Sequence, residues 1–141
     1  MGLFILAAVV LLPGLGSSTR LTYHEAFVAQ GAREILNSGN WACPTIGGLP
    51  WLEKPPLPWW LVAGLGYCTG MVDETVARFP STLAAMGVIG GIGILATRHY
   101  GVQVGLLAGA VQATTAWTVI RGRLAEADML LACLEIGRAH V

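Results

Sequence analysis

Charged positions along this chain fall in clusters, and long stretches between the clusters carry none. Residues 2–19, 55–72, 79–97 and 99–120 contain no Asp, Glu, Lys or Arg. A helix that crosses a bilayer needs roughly 20 mainly apolar residues. The last two stretches meet that requirement, whereas Pro13, Gly14 and Gly16 shorten the first. The pattern predicts a membrane helix over 3–15, ended by the polar residues 17–20. Residues 23–37 alternate as an amphipathic helix, with Ala26, Val28, Ala29, Ala32, Ile35 and Leu36 apolar and Glu25, Gln30, Arg33 and Glu34 polar. Ser38-Gly39-Asn40 is a helix stop. Residues 41–52 read as a loop with a turn at Gly47-Gly48.

The stretch 55–70 is short for a span. Its prolines suit a first helical turn, where the missing N–H has no partner to lose. Trp59, Trp60 and Tyr67 are residue types that favour the headgroup level. An interfacial or re-entrant helix is expected here. The next helix is expected to open at Arg78-Phe79-Pro80-Ser81 and run to Thr97, followed by a tight turn at 98–101. A second span over 102–120, a charged loop over 121–128 and a further apolar segment from Met129 complete the pattern. Arg78 reads as an anchor at a helix start, and Asp73, Glu74 and Glu126 read as solvated loop charges. Gly87, Gly90, Gly91 and Gly93 read as helix-packing positions. If 55–70 spans, Glu25 and Lys54 lie across the membrane from Asp128; if it lies in the interface, all three share one side.

Composition supports the same class. The chain is 55% hydrophobic and 11% charged, against about a quarter charged in soluble domains. The expected fold is an all-α, polytopic transmembrane helical protein. A secreted soluble domain behind a signal peptide fits poorly with two uncharged runs between 79 and 120. Zero net charge points to no nucleic-acid partner. Cys43, Cys68 and Cys133 have neither metal-ligand spacing nor a disulfide framework. Residues 135–141 resemble the translation of a sequencing adapter, so 1–134 is expected to be the N-terminal part of a longer multi-span domain.

The segment Leu52-Glu-Lys-Pro-Pro-Leu-Pro-Trp-Trp60 sets an acid and a lysine directly before the short helix. Charged groups at membrane depth are costly and point to function. Lys54 is a candidate phosphate ligand, its alternative being a lysine that snorkels to the interface. Glu53 is a candidate for a divalent metal or for the acceptor. A non-catalytic lipid-phosphate handler, such as a flippase or transporter segment, is the competing reading.

Five segments in order carry a family resemblance: His24-Glu25 after the first helix, Ala32-Arg-Glu-Ile-Leu36 with Ser38-Gly39 and Trp41, Glu53-Lys-Pro-Pro-Leu57 with Trp59-Trp-Leu61, Ala77-Arg-Phe-Pro-Ser-Thr-Leu-Ala84, and Gly122-Arg123 with Asp128-Met-Leu-Leu131. Over residues 22–134 the chain resembles the C-type membrane glycosyltransferases, among them relatives of the protein O-mannosyltransferases and of the lipid A aminoarabinose transferase. The resemblance implies interfacial helices in the first external loop. It implies a multi-pass protein of the bacterial inner membrane that moves a sugar from a polyprenyl-phosphate donor to a lipid, glycan or protein acceptor on the outer side. It assigns Glu25 and His24 to the base position, Asp128 to a second acid and Lys54 to the substrate phosphate, with Arg121 and Arg123 as partners for that phosphate or for Asp128. The family's usual Asp-Glu is His24-Glu25 here, and two usually charged positions are Phe27 and Gln30. These departures set the chain apart from the aminoarabinose transferases in the strict sense.

Overall fold

The computed structural model describes residues 2–16, 20–51 and 54–138. Helices dominate. They are α1 (Gly2–Leu11), α2 (Tyr23–Ser38), α3 (Leu57–Thr69), α4 (Glu74–Tyr100), α5 (Val102–Thr114), α6 (Ala116–Gly122) and α7 (Asp128–Arg138). Between α2 and α3 lies a small antiparallel hairpin, β1 (Thr45–Ile46) with β2 (Leu49–Pro50). This corrects the purely helical expectation. Gly47 and Gly48, at φ 62° and 79°, form its turn in the left-handed region that glycine enters without a Cβ clash.

One of these helices, α4, is long and apolar enough to cross a membrane. Its 27 residues reach about 40 Å at the usual helical rise. It begins at Glu74, four residues before the expected start at Arg78. The Asp73 carboxylate accepts from the Val76 amide at 2.8 Å and so satisfies an otherwise unpaired first-turn donor. Asp73 is therefore a cap, and Pro80 lies inside the helix. The expected turn at 98–101 reduces to Gly101, because α4 continues through Tyr100. The expected second span is broken at Thr115 into α5 and α6.

Two apolar clusters hold the bundle. Ala29, Ile35, Trp59, Val62, Ala77 and Ala125 join α2 and α3 to the start of α4. Ala7, Leu11, Ala85, Val88, Ile89 and Ala113 join α1, α4 and α5 farther along. Helices α4 and α5 pack backbone to backbone. A Cβ at Gly105 would lie 2.6 Å from the Gly93 carbonyl oxygen, so only glycine permits this approach.

Candidate functional site

The site is built where the first cluster meets the charged loops. The end of α2 nearest the site opens on a reciprocal cap, with the Thr22 amide donating to Glu25 Oε2 at 2.8 Å. The Glu25 carboxylate is fully buried and takes three further bonds. Arg78 Nε donates to Oε1 at 2.7 Å, Arg78 Nη2 to Oε2 at 3.3 Å, and the Ala125 amide to Oε1 at 3.1 Å. Arg78 Nη1 donates to the Leu15 carbonyl at 2.8 Å. One buried ion pair thus ties together the turn after α1, the start of α2, the start of α4 and the α6–α7 connection. Burial pushes the Glu25 carboxyl up, but Arg78 and the two amides outweigh it and hold the group below the usual carboxylate range. Arg78 is a buried partner of Glu25 rather than an interfacial anchor. An arginine within an otherwise apolar helix was itself the signal for such a partner.

The same α4 face fixes the α6–α7 connection at two more points. Ser81 Oγ donates to the Glu126 carbonyl at 2.8 Å, and Thr82 Oγ1 donates to the Gly122 carbonyl at 2.9 Å. These bonds set the position of Asp128 at the start of α7. Trp59 is fixed from the other side. Its indole lies against Gly31, where a Cβ would come within 2.9 Å of the ring, and its Nε1 donates to the Phe27 carbonyl at 3.3 Å.

These anchors leave a cleft of about 200 Å³, lined by His24, Lys54, Trp59, Arg121, Glu126 and Asp128 among others. A neighbouring cleft of about 220 Å³ shares His24, Lys54 and Trp59 and adds Tyr23, Phe27 and Trp51. Phe27 and Trp51 stack there with ring centroids 5.2 Å apart. One mouth is therefore charged and the other aromatic, and His24 and Lys54 stand between them. The lining of the first cleft places His24, Lys54 and Asp128 at one end of the bundle.

Other expected site residues lie elsewhere. Glu25 does not line the cleft but lies behind it in the buried network. Arg123 turns away, its Nη2 donating to the Pro13 carbonyl beyond α1. Arg121, the other arginine expected beside the phosphate or Asp128, is the one that lines the cleft. Its guanidinium pairs with Glu126 and approaches Asp128 Oδ2 at 3.6 Å, and it lies 4.5 Å from the Trp117 ring centroid. Glu126, read as a loop charge, belongs to the same cleft. The sequence signal was the spacing of one arginine and two acids across a single short turn. Glu53, the expected metal ligand, lies outside the described residues. Among the described residues, no three His, Cys, Asp or Glu side chains come together to hold a metal ion.

No family model matches the chain, and no solved structure matches it. Curated proteins do. The chain is 42% identical over 64 residues to an undecaprenyl phosphate-alpha-4-amino-4-deoxy-L-arabinose arabinosyl transferase of Pseudomonas savastanoi pv. phaseolicola, covering 44% of this chain and 12% of the relative. It is 41% identical over 84 residues to a second such transferase, of Pseudomonas fluorescens, covering 60% and 15%. An uncharacterised protein of Aquifex aeolicus is 38% identical over 69 residues, covering 49% and 13%. The matches thus span 12% to 15% of the length of these relatives.

Proposed function

We propose that this chain forms the headgroup end of the active site of a multi-pass membrane glycosyltransferase of the bacterial inner membrane, using a polyprenyl-phosphate-linked sugar as donor. The observation that carries this reading is the cleft shared by His24, Lys54 and Asp128, residues that lie far apart in sequence. The partial likeness to two arabinosyl transferases whose names specify an undecaprenyl-phosphate sugar supports it.

In the proposed reaction an acceptor hydroxyl oxygen attacks the anomeric carbon of the donor. The bond from that carbon to the phosphate oxygen breaks, and its electron pair leaves with the polyprenyl phosphate. The hydroxyl proton passes to the His24 imidazole, a side chain type that exchanges protons near neutral pH. The Lys54 ammonium faces the phosphate as its charge grows, which is where fixed charge lowers a barrier most. Asp128 orients the acceptor or the imidazole. Glu25 acts as a positioning residue, because all its bonds go to the protein framework and it is held ionised among them.

The test is sugar transfer in membranes that contain the protein, from a pool of polyprenyl-phosphate sugars. Lys54→Ala and His24→Ala are each expected to lower transfer at least ~100-fold, on the scale of losing a charge or proton acceptor at the reacting centre. Transfer that survives both changes overturns the assignment. Absent transfer in the unaltered protein, with polyprenyl phosphate binding still dependent on Lys54, would instead indicate lipid handling without chemistry.

A further inference from the structure

Arg121 has an unusual setting for a cation in a binding cleft. It stacks on Trp117 and bridges two carboxylates, Glu126 by direct contact and Asp128 at 3.6 Å. Its side chain is 29% exposed, so the guanidinium is reachable from the cleft. Lys54 stands on the lining of the same cleft but comes from the segment before α3. The two cations thus approach one space from different elements, and among the described residues Arg121 is the one of the two that arrives already paired.

We infer that Arg121 is a second phosphate ligand held in reserve by Glu126, and that this carboxylate is displaced when the phosphate of a polyprenyl lipid enters. The inference rests on the reading above and deepens it. Three features support the exchange. A guanidinium presents five donors in a planar fork, which matches a phosphate as well as a carboxylate. The Trp117 ring keeps the guanidinium plane in place while its partner changes. The Glu126 backbone is tied down independently by Ser81, so releasing its side chain does not require the α6–α7 connection to move. The paired carboxylate also keeps the cleft near neutral before the lipid arrives, because Arg121 and Lys54 then face Glu126 and Asp128.

Glu126 thus competes with the ligand, and removing it should strengthen binding. The experiment measures the Kd of undecaprenyl phosphate for the protein in phosphatidylcholine nanodiscs, with thermal unfolding followed in parallel. Glu126→Gln is expected to tighten binding and Arg121→Gln to weaken it, each by roughly 3- to 10-fold, the scale of one charge-assisted hydrogen bond at a part-exposed site. The double variant is expected to bind like Arg121→Gln alone. A gain from Glu126→Gln that persists without Arg121 overturns the exchange, because the carboxylate would then act only through its field. Weaker binding in both single variants, with matching losses of thermal stability, overturns it in favour of a clamp on the turn. Inorganic phosphate is titrated beside the lipid, and the same pattern at the same concentrations overturns the assignment to a lipid-borne phosphate. If Lys54→Ala leaves lipid binding unchanged while the Arg121 and Glu126 variants behave as expected, the exchange stands and the assignment of Lys54 falls. If Lys54→Ala weakens binding and Glu126→Gln does not tighten it, the exchange falls and the proposed function stands.

Discussion

The Glu25 carboxylate accepts hydrogen bonds from three parts of the chain at once, the Thr22 amide, Arg78 and the Ala125 amide, and the consequence is measurable in stability before it is measurable in catalysis. Removing one partner of a buried ion pair typically costs about 3–5 kcal/mol, because the other charge is left uncompensated. Glu25→Gln is therefore expected to lower unfolding stability by about that amount, with Arg78→Leu similar. Lys54→Ala, at an exposed position, is expected to change it by less than ~0.5 kcal/mol. Denaturant unfolding of the three variants decides this. Acid should act at the same points. A carboxyl whose folded value is depressed contributes stability that is present above its unfolded value and lost as pH falls through the folded one. The Thr45 hydroxyl and the Gln30 amide, helped by the Gly47 and Gly48 amides, hold Glu34 down to about 2 from an ordinary 4.5. The hairpin should accordingly loosen between pH 4.5 and about 2, seen as lost protection of the Gly47 and Gly48 amides. At this scale the sequence was informative about chemistry and silent about partners. Lys54 could be singled out because charges beside apolar runs are rare, whereas His24 and Asp128 were marked by the family resemblance. That Glu25 meets Arg78, 53 residues away, follows only from how α2 crosses α4.

Helix ends and crossings depend on a few small residues. Gly105 faces Gly93 and Thr97 so closely that an added Cβ would lie 1.8 Å from Thr97 Oγ1 as well as 2.6 Å from backbone oxygen. The hydroxyl can rotate away, but the carbonyl cannot. Gly105→Ala should force α4 and α5 apart and cost about 1–3 kcal/mol. Gly64 in α3 has nothing within 4 Å of a built Cβ, so Gly64→Ala should stabilise by about 0.5–1 kcal/mol through helix propensity alone. Thermal melts of the pair, run side by side, separate packing from propensity. Most helices could be read from the sequence because apolar runs and Gly stops coincide, as at Gly39 and Gly70. The break at Thr115 could not, since Thr-Thr-Ala-Trp carries no proline or glycine. There Thr115 Oγ1 bonds back to the Val111 carbonyl at 2.7 Å and Gln112 Nε2 reaches Thr118 Oγ1 at 2.7 Å, an arrangement of side chains rather than a pattern of polarity. The early start of α4 was available in Asp73, an N-cap residue type, but Pro80 drew the expected boundary toward itself.

Across the whole molecule, α4 separates two ends. The cleft with His24, Lys54 and Asp128 lies near its start, and Arg98, His99 and Tyr100 lie in its last turn. If α4 crosses the bilayer, as its length and composition permit, these ends face different compartments. The short helix α3 then need not cross, because the cleft already joins the residues before it to those after α6. The arrangement predicts an accessibility pattern. In a protein with its other cysteines replaced by serine, Cys68, which is exposed at the end of α3, and a cysteine in place of Asp128 should react with a membrane-impermeant maleimide from one side. A cysteine in place of His99 should react only from the other. Sealed vesicles of both orientations supply the comparison. Labelling of Cys68 and His99→Cys from the same side would mean that α4 does not span. Labelling of Cys68 and Asp128→Cys from opposite sides would break the shared cleft and remove the geometric basis for assigning His24, Lys54 and Asp128 to one reaction. The pattern needs no activity, so it tests the architecture independently of the sugar, the acceptor and the proton acceptor. Lys54→Cys, reactive from the same side as Cys68 and shielded when undecaprenyl phosphate is added, would tie that architecture to the ligand.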